Sequence, residues 1–164
     1  TRSMNIIATI RNNAGMTQQE LADKANITRR YVISLEKSIP STVPEAVLEV
    51  LSTLGGVAPD SIPNAYYYHR RDQIEYYTER IKDCIGDTDL SNMDMIDFRY
   101  HLEDITGLSM SQIKFAEYFG INPASLSVYE RGGCRTMPTE IREVFLSLGF
   151  SEDQIGKLDV NTCI

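Results

Sequence analysis

QQELADKANITRRYVISLEKS, residues 18–38, decides the fold. Thr17 stands just before it and Glu20 lies three places on, the spacing of a capping box that opens a helix. A three-residue break, Asn26 to Thr28, follows. Thr28 then caps a second helix in which Val32 and Leu35 lie three apart on one apolar face. Two short helices joined by so brief a turn, the second opening on two arginines, form a device for presenting one helix end outward.

The device recurs. Residues 17–55 overlie 111–149 at a constant shift of 94 without a gap. Gln18 falls on Gln112, Ala22 on Ala116, Ile27 on Ile121, Glu36 on Glu130, Pro44 on Pro138 and Gly55 on Gly149. Leu21 with Phe115, Val32 with Leu126 and Leu35 with Tyr129 keep apolar character where identity fails. So many matches on one register indicate duplicated units of about 60 residues.

Each unit is expected to hold four or five helices. In the first, Ile6, Ile7 and Ile10 mark a helix stopped at Gly15. Pro44 opens PEAVLEVLSTLG, which ends at Gly55 and Gly56. In the second, Ser111 caps QIKFAEYF, Asn122 caps a helix begun by Pro123, and Pro138 opens PTEIREVFLSLG. Its first helix matches at a shift of 92, which sets Phe98 over Ile6, Leu102 over Ile10 and Glu103 over Arg11. The predicted divisions are 4–62, a connecting helix and turn at 63–90, and 91–160, all helical.

Between the units, five of nine tyrosines crowd NAYYYHRRDQIEYYTERIKDCIG. Ile74, Tyr77 and Ile81 make one helical stripe there, which either packs the connecting helix on the units or serves as a candidate dimer or interdomain face.

Composition narrows the function. Apolar residues at 42% and charged residues at 24% are those of a soluble globular chain. No apolar run approaches the roughly 18 residues of a membrane helix, so no membrane partner is expected. Cys84, Cys134 and Cys163 are odd in number and isolated, which fits a reducing cytoplasm. Thr1 to Ser3 are expected to precede a native start at Met4. The net charge of −7 is unevenly distributed: residues 1–63 hold six basic and six acidic side chains, residues 64–106 five and ten. Arg11, Lys24, Arg29, Arg30 and Lys37 are thus available for a local basic face in the first unit.

QQELADKANITRRYVISLEKS resembles the signature of the lambda-repressor and Cro-like helix-turn-helix family, and so does QIKFAEYFGINPASLSVYERG at 112–132, with Gly120 in the turn and Glu130, Arg131 and Gly132 at its close. The resemblance covers about 120 of 164 residues. It implies an all-α protein with two such units joined by a tyrosine-rich helix, acting as a regulator on double-stranded DNA by occluding an operator. Base contacts would fall to Arg29, Arg30 and Ser34, and backbone or neighbouring contacts to Gln18, Tyr31, Ile33 and Lys37, with Gln112, Ser125 and Arg131 in the second unit. Glu36 would pair with Arg11 as architecture. The chemistry supports the first pair independently, because arginine donates two parallel hydrogen bonds to guanine.

The second recognition helix reads Pro123, Ala124, Ser125, Leu126, Ser127, Val128, with no cation or amide to read bases. In the second unit the acids Glu103 and Glu130 would be set near each other, unless Arg99, one turn earlier, takes over. The alternative function follows from this: a phage-like or mobile-element helix-turn-helix protein whose main partner is another protein. Enzymatic readings gain nothing. His69 and His101 have no nucleophile or metal partner at useful spacing, phosphate-binding loops are absent, and no catalytic residue, metal or cofactor is expected.

Overall fold

The computed structural model describes residues 4–163, so the expectation for Thr1 to Ser3 lies outside them. Every regular element among those residues is a helix, and they divide into two compact units, one ending at Asp72 and the other beginning at Gln73.

The first unit opens with α1, Ile6–Asn13, capped by Asn5, whose side chain accepts the Ala8 amide at 3.1 Å. The helix α2, Gln18–Ala25, starts from the Thr17–Glu20 capping box, and α3, Arg29–Glu36, starts from Thr28, whose hydroxyl accepts the Tyr31 amide. Next come α4, Glu45–Gly55, and α5, Ser61–Ile85. Pro44 is the cap of α4 and not its first residue, a one-residue shift of boundary. Ile7, Ile10, Leu21, Ala22, Val32, Leu35, Val47, Leu51, Ile62 and Tyr66 close over one core. Val32 and Leu35 are wholly buried, which pins α3 by its inner face and turns Arg29 and Arg30 outward.

The second unit takes in the rest of α5, a 3₁₀ turn at Leu90–Asn92, α6 at Met95–Thr106, α7 at Gln112–Phe119, α8 at Pro123–Glu130, α9 at Thr139–Ser147 and α10 at Glu152–Thr162. Its core is more aromatic. Phe98 lies 4.5 Å from Phe145 and 5.8 Å from Phe150, centroid to centroid. Sequence patterning named no helix after PTEIREVFLSLG, although Ser151 and Gln154 form the capping box of α10. Its end ties the unit together: Asn161 donates to the carbonyls of Ser91 and Met93, and Thr162 accepts the Met95 amide at 3.0 Å.

One expectation needs correction. The shift of 92 for α6 misplaces its arginine. Arg99 makes the contacts in the second unit that Arg11 makes in the first, a shift of 88, with Met95 over Ile7 and Phe98 over Ile10. The helix α6 runs four residues longer than α1, and the extra turn beyond the arginine carries Glu103 clear of Glu130, to accept the Met110 amide at 2.9 Å. As for the candidate dimer stripe, Ile81 is fully buried and Tyr77 is half-buried, stacked on Tyr118 at 4.4 Å. Ile81 therefore has no surface to offer a second copy, and Ile74 is only partly exposed.

Candidate nucleic-acid interface

A helix can be aimed only if its other end is anchored. Glu36, at the last position of α3, receives two parallel bonds from Arg11: Nε to Oε2 at 2.5 Å and Nη2 to Oε1 at 2.9 Å. The third arm of the guanidinium, Nη1, donates to the Met16 carbonyl at 2.8 Å and so ties the α1–α2 turn to the same point. This two-pronged geometry adds orientation to charge. The hydrogen bond from Arg11 to Glu36 holds the guanidinium above its ordinary range. Gln18 completes the set, its Nε2 donating to Glu36 Oε1 at 3.2 Å. Gln18, expected among the backbone contacts, here orients Glu36, and one amide hydrogen remains for a further acceptor.

The turn is set by backbone. Asn26 adopts a left-handed conformation, φ 54 and ψ 46, and the Ile27 amide bonds back to the Ala22 carbonyl at 3.0 Å. Asparagine tolerates this conformation better than other non-glycine residues. The chain reverses in three residues and delivers Thr28 as the cap of α3.

Arg29 and Arg30 occupy the first two positions of α3 and are exposed. Neither guanidinium makes an ion pair or hydrogen bond among the described residues. Helix stability does not explain them: cations at a helix N-terminus oppose the macrodipole, at a cost of roughly 0.3–1 kcal/mol each. An acceptor-rich ligand would reverse that sign. Tyr31 beside them is 37% exposed, enough to reach a neighbouring strand of ligand, and Ile33 and Lys37 are partly exposed. Ser34 is less available than its position suggests. Its hydroxyl donates to the Tyr31 carbonyl at 2.8 Å, which leaves it only an acceptor.

In the second unit the same bonds recur. Arg99 donates to Glu130 through Nε at 2.5 Å and Nη2 at 2.7 Å, and through Nη1 to the Met110 carbonyl at 2.7 Å. Gln112 donates to Glu130 at 2.9 Å, Gly120 is left-handed at φ 64, and the Ile121 amide bonds to Ala116 at 3.1 Å. The outward face is another matter. Pro123 and Ala124 begin α8, Ser125 is partly buried, and Arg131 is exposed only past the last helical residue. Glu140 accepts the Asn122 amide at 3.3 Å at the start of α8, where the first unit has Ala46 at the equivalent place. That carboxylate was missed in the sequence because only the approach of α9 to α8 brings it there. It takes the helix N-terminal position an anion would otherwise use.

Residues 7–62 match the helix-turn-helix family. The first unit therefore carries a helix-turn-helix domain. The match ends before most of α5 and covers about a third of the chain. No curated protein and no solved structure matches the chain. Helix-turn-helix domains bind DNA by laying the second helix of the motif in the major groove, which is α3 here. They are not catalytic, and among the described residues no three His, Cys, Asp or Glu side chains are grouped to hold a metal. No helix among those residues is long and apolar enough to cross a membrane.

Proposed function

We propose that this protein is a sequence-specific DNA-binding regulator of transcription, repressing by occupying an operator, with Arg29 and Arg30 reading base edges from the start of α3. The observation that carries this reading is the pair of exposed guanidiniums on the first turn of a helix whose far end is fixed by Arg11, Glu36 and Gln18. Tyr31, Lys37 and the remaining hydrogen of Gln18 would meet phosphates on either side, with Ser34 as an acceptor. Three free cysteines suit a reducing cytoplasm.

In this reading residues 91–160 are a second helix-turn-helix unit, and 4–62 and 91–160 are separately folding pieces joined through 63–90. The recurring arginine–glutamate–glutamine bonds support the second unit, and the apolar start of α8 gives it little base readout. Gln112 and Arg131 would contribute backbone contact. Selection from randomised duplexes tests the proposal: a recovered motif bound by the full chain, and lost in Arg29→Ala with Arg30→Ala, is the expected result. No enriched motif would reject it.

A protein-directed role, as in a phage-like or mobile-element regulator that captures another factor, is favoured by one observation. From Gln73 onward the chain holds sixteen acidic and eight basic side chains, and Glu140 sits at the start of α8. If that role is primary, regulation survives the loss of Arg29 and Arg30.

A further inference from the structure

The three cysteines are far apart in the chain, but the fold of the second unit draws two of them together. Cys134 lies in the loop that leaves α8, and Cys163 is the cap that ends α10. That loop and the end of α10 meet along their backbones. A Cβ added to Gly132 would stand 3.4 Å from the Thr162 carbonyl oxygen, and these residues precede Cys134 by two places and Cys163 by one. Side chains tie the same elements. The Tyr129 hydroxyl, near the end of α8, donates to Asp159 Oδ1 at 2.7 Å, and Cys163 Sγ donates to the same oxygen at 3.3 Å.

The two sulfurs also act on each other. Burial, then the hydrogen bond to Asp159, then the charges of Asp159 and Cys134 push the Cys163 thiol up to about 11. A charge is largely screened beyond about 10 Å, so Cys134 stands within that reach of Cys163. Cys84, exposed on α5, is not among the groups that act on it. Both neighbours are half-buried, open enough for a small reagent, and both lie outside regular helix. Their backbones can therefore adjust to the Cα separation of about 4.4–6.8 Å that a disulfide requires.

We propose that Cys134 and Cys163 are a redox modification site, joined by a reversible disulfide that staples the loop leaving α8 to the end of α10. The oxidant is a small-molecule disulfide such as oxidised glutathione. Cys163 is held as an acid by Asp159, so Cys134 attacks first: its thiolate takes one sulfur of the reagent and expels the other as a thiolate. The Cys163 thiolate then attacks Cys134 Sγ and expels the second. One S–S bond breaks in the reagent and one forms in the protein, the two thiol protons go to the two departing thiolates, and the reagent leaves reduced by two electrons. In a reducing cytoplasm such a bond is transient and forms under oxidative challenge. The site does not depend on the DNA-binding reading.

The test equilibrates the full chain in buffers of graded glutathione to glutathione disulfide ratio, blocks the remaining thiols by alkylation and maps the linked peptides by mass. One intramolecular link, Cys134 to Cys163, is expected, with Cys84 left alkylated. The bond closes a loop of about thirty residues, so the thermal midpoint of the second unit should rise on the order of 10 °C and fall back on reduction with dithiothreitol. Cys134→Ser and Cys163→Ser should each abolish both the link and the rise, while Cys84→Ser keeps them. Mixed disulfides with glutathione and no 134–163 link at any ratio, in a chain of full helicity, overturn the proposal. So do links that engage Cys84 as often as they do in the denatured chain, and so does a 134–163 link that lowers the midpoint, since it would need a distorted fold.

Discussion

The α2–α3 and α7–α8 pairs are anchored by the same inward bonds and differ in what they present outward. In each, an arginine on the preceding helix and a glutamine at the first position of the pair converge on one glutamate. Outside, Arg29 and Arg30 stand where the other pair has Pro123 and Ala124, and Ala46 stands where the other has Glu140. Frame and face vary independently, because the glutamate sits at the anchored end of the helix and the residues that differ lie at the other end.

The anchor should be the costliest thing to break, and unequally so. Glu130 and Arg99 side chains are 2% and 10% exposed, Glu36 and Arg11 side chains 9% and 12%. Glu130→Ala leaves a more deeply buried cation unpaired and is expected to cost about 3–5 kcal/mol, with Glu36→Ala at about the lower end of that range. Chemical denaturation of the full chain measures both, and a greater loss from Glu36→Ala would reverse the comparison.

Smaller effects should appear at the outward face, in binding and not in stability. Arg29→Ala and Arg30→Ala are each expected to remove about 1–3 kcal/mol of discrimination between operator and mismatched duplex, with the unfolding midpoint unchanged. Ser125→Ala on α8 should change neither. Titration of the selected duplex decides this, and comparable losses from α3 and α8 would make them equal readers.

The turns offer a finer contrast. Asn26 and Gly120 hold the same left-handed conformation, so Gly120→Ala should cost roughly 1–2 kcal/mol while Asn26→Gly changes stability little. Thermal unfolding of the two variants tests it, and a tolerated alanine at 120 would mean that the second turn can relax.

The smallest difference is in acid. Hydrogen bonds with the backbone and side chain of Thr17 hold the Glu20 carboxyl below its ordinary range. A carboxyl depressed on folding contributes its stability above the unfolded value and loses it as pH falls through the folded one. Ser111, the cap of α7, faces Lys114 at the matching position and has no such carboxylate. From about pH 5 to about pH 3, amide exchange should therefore rise in α2 before it rises in α7.

Much of this was legible in the chain itself, because caps, turns and apolar spacing are local. Thr17 with Glu20, Thr28 before Arg29, Asn122 before Pro123 and the wholly buried Val32 and Leu35 all follow from residues within a few places of each other. The pairing of Arg11 with Glu36 was reachable too, through family resemblance. Contacts between distant elements were not. The length of α6 decides that Arg99, not the residue a constant shift would choose, meets Glu130. The burial of Ile81 and the place of Glu140 at the start of α8 depend on how helices pack.

The sequence by itself determined two short helices with a three-residue turn, capped and sided, and two arginines on the first turn of the second helix. Local hydrogen bonds and a 3.6-residue period suffice for that. Only the tertiary structure decided that Arg99 secures Glu130 and that Glu140 reaches the start of α8. Those outcomes depend on side chains up to about thirty residues apart, and packing alone brings them within hydrogen-bond distance.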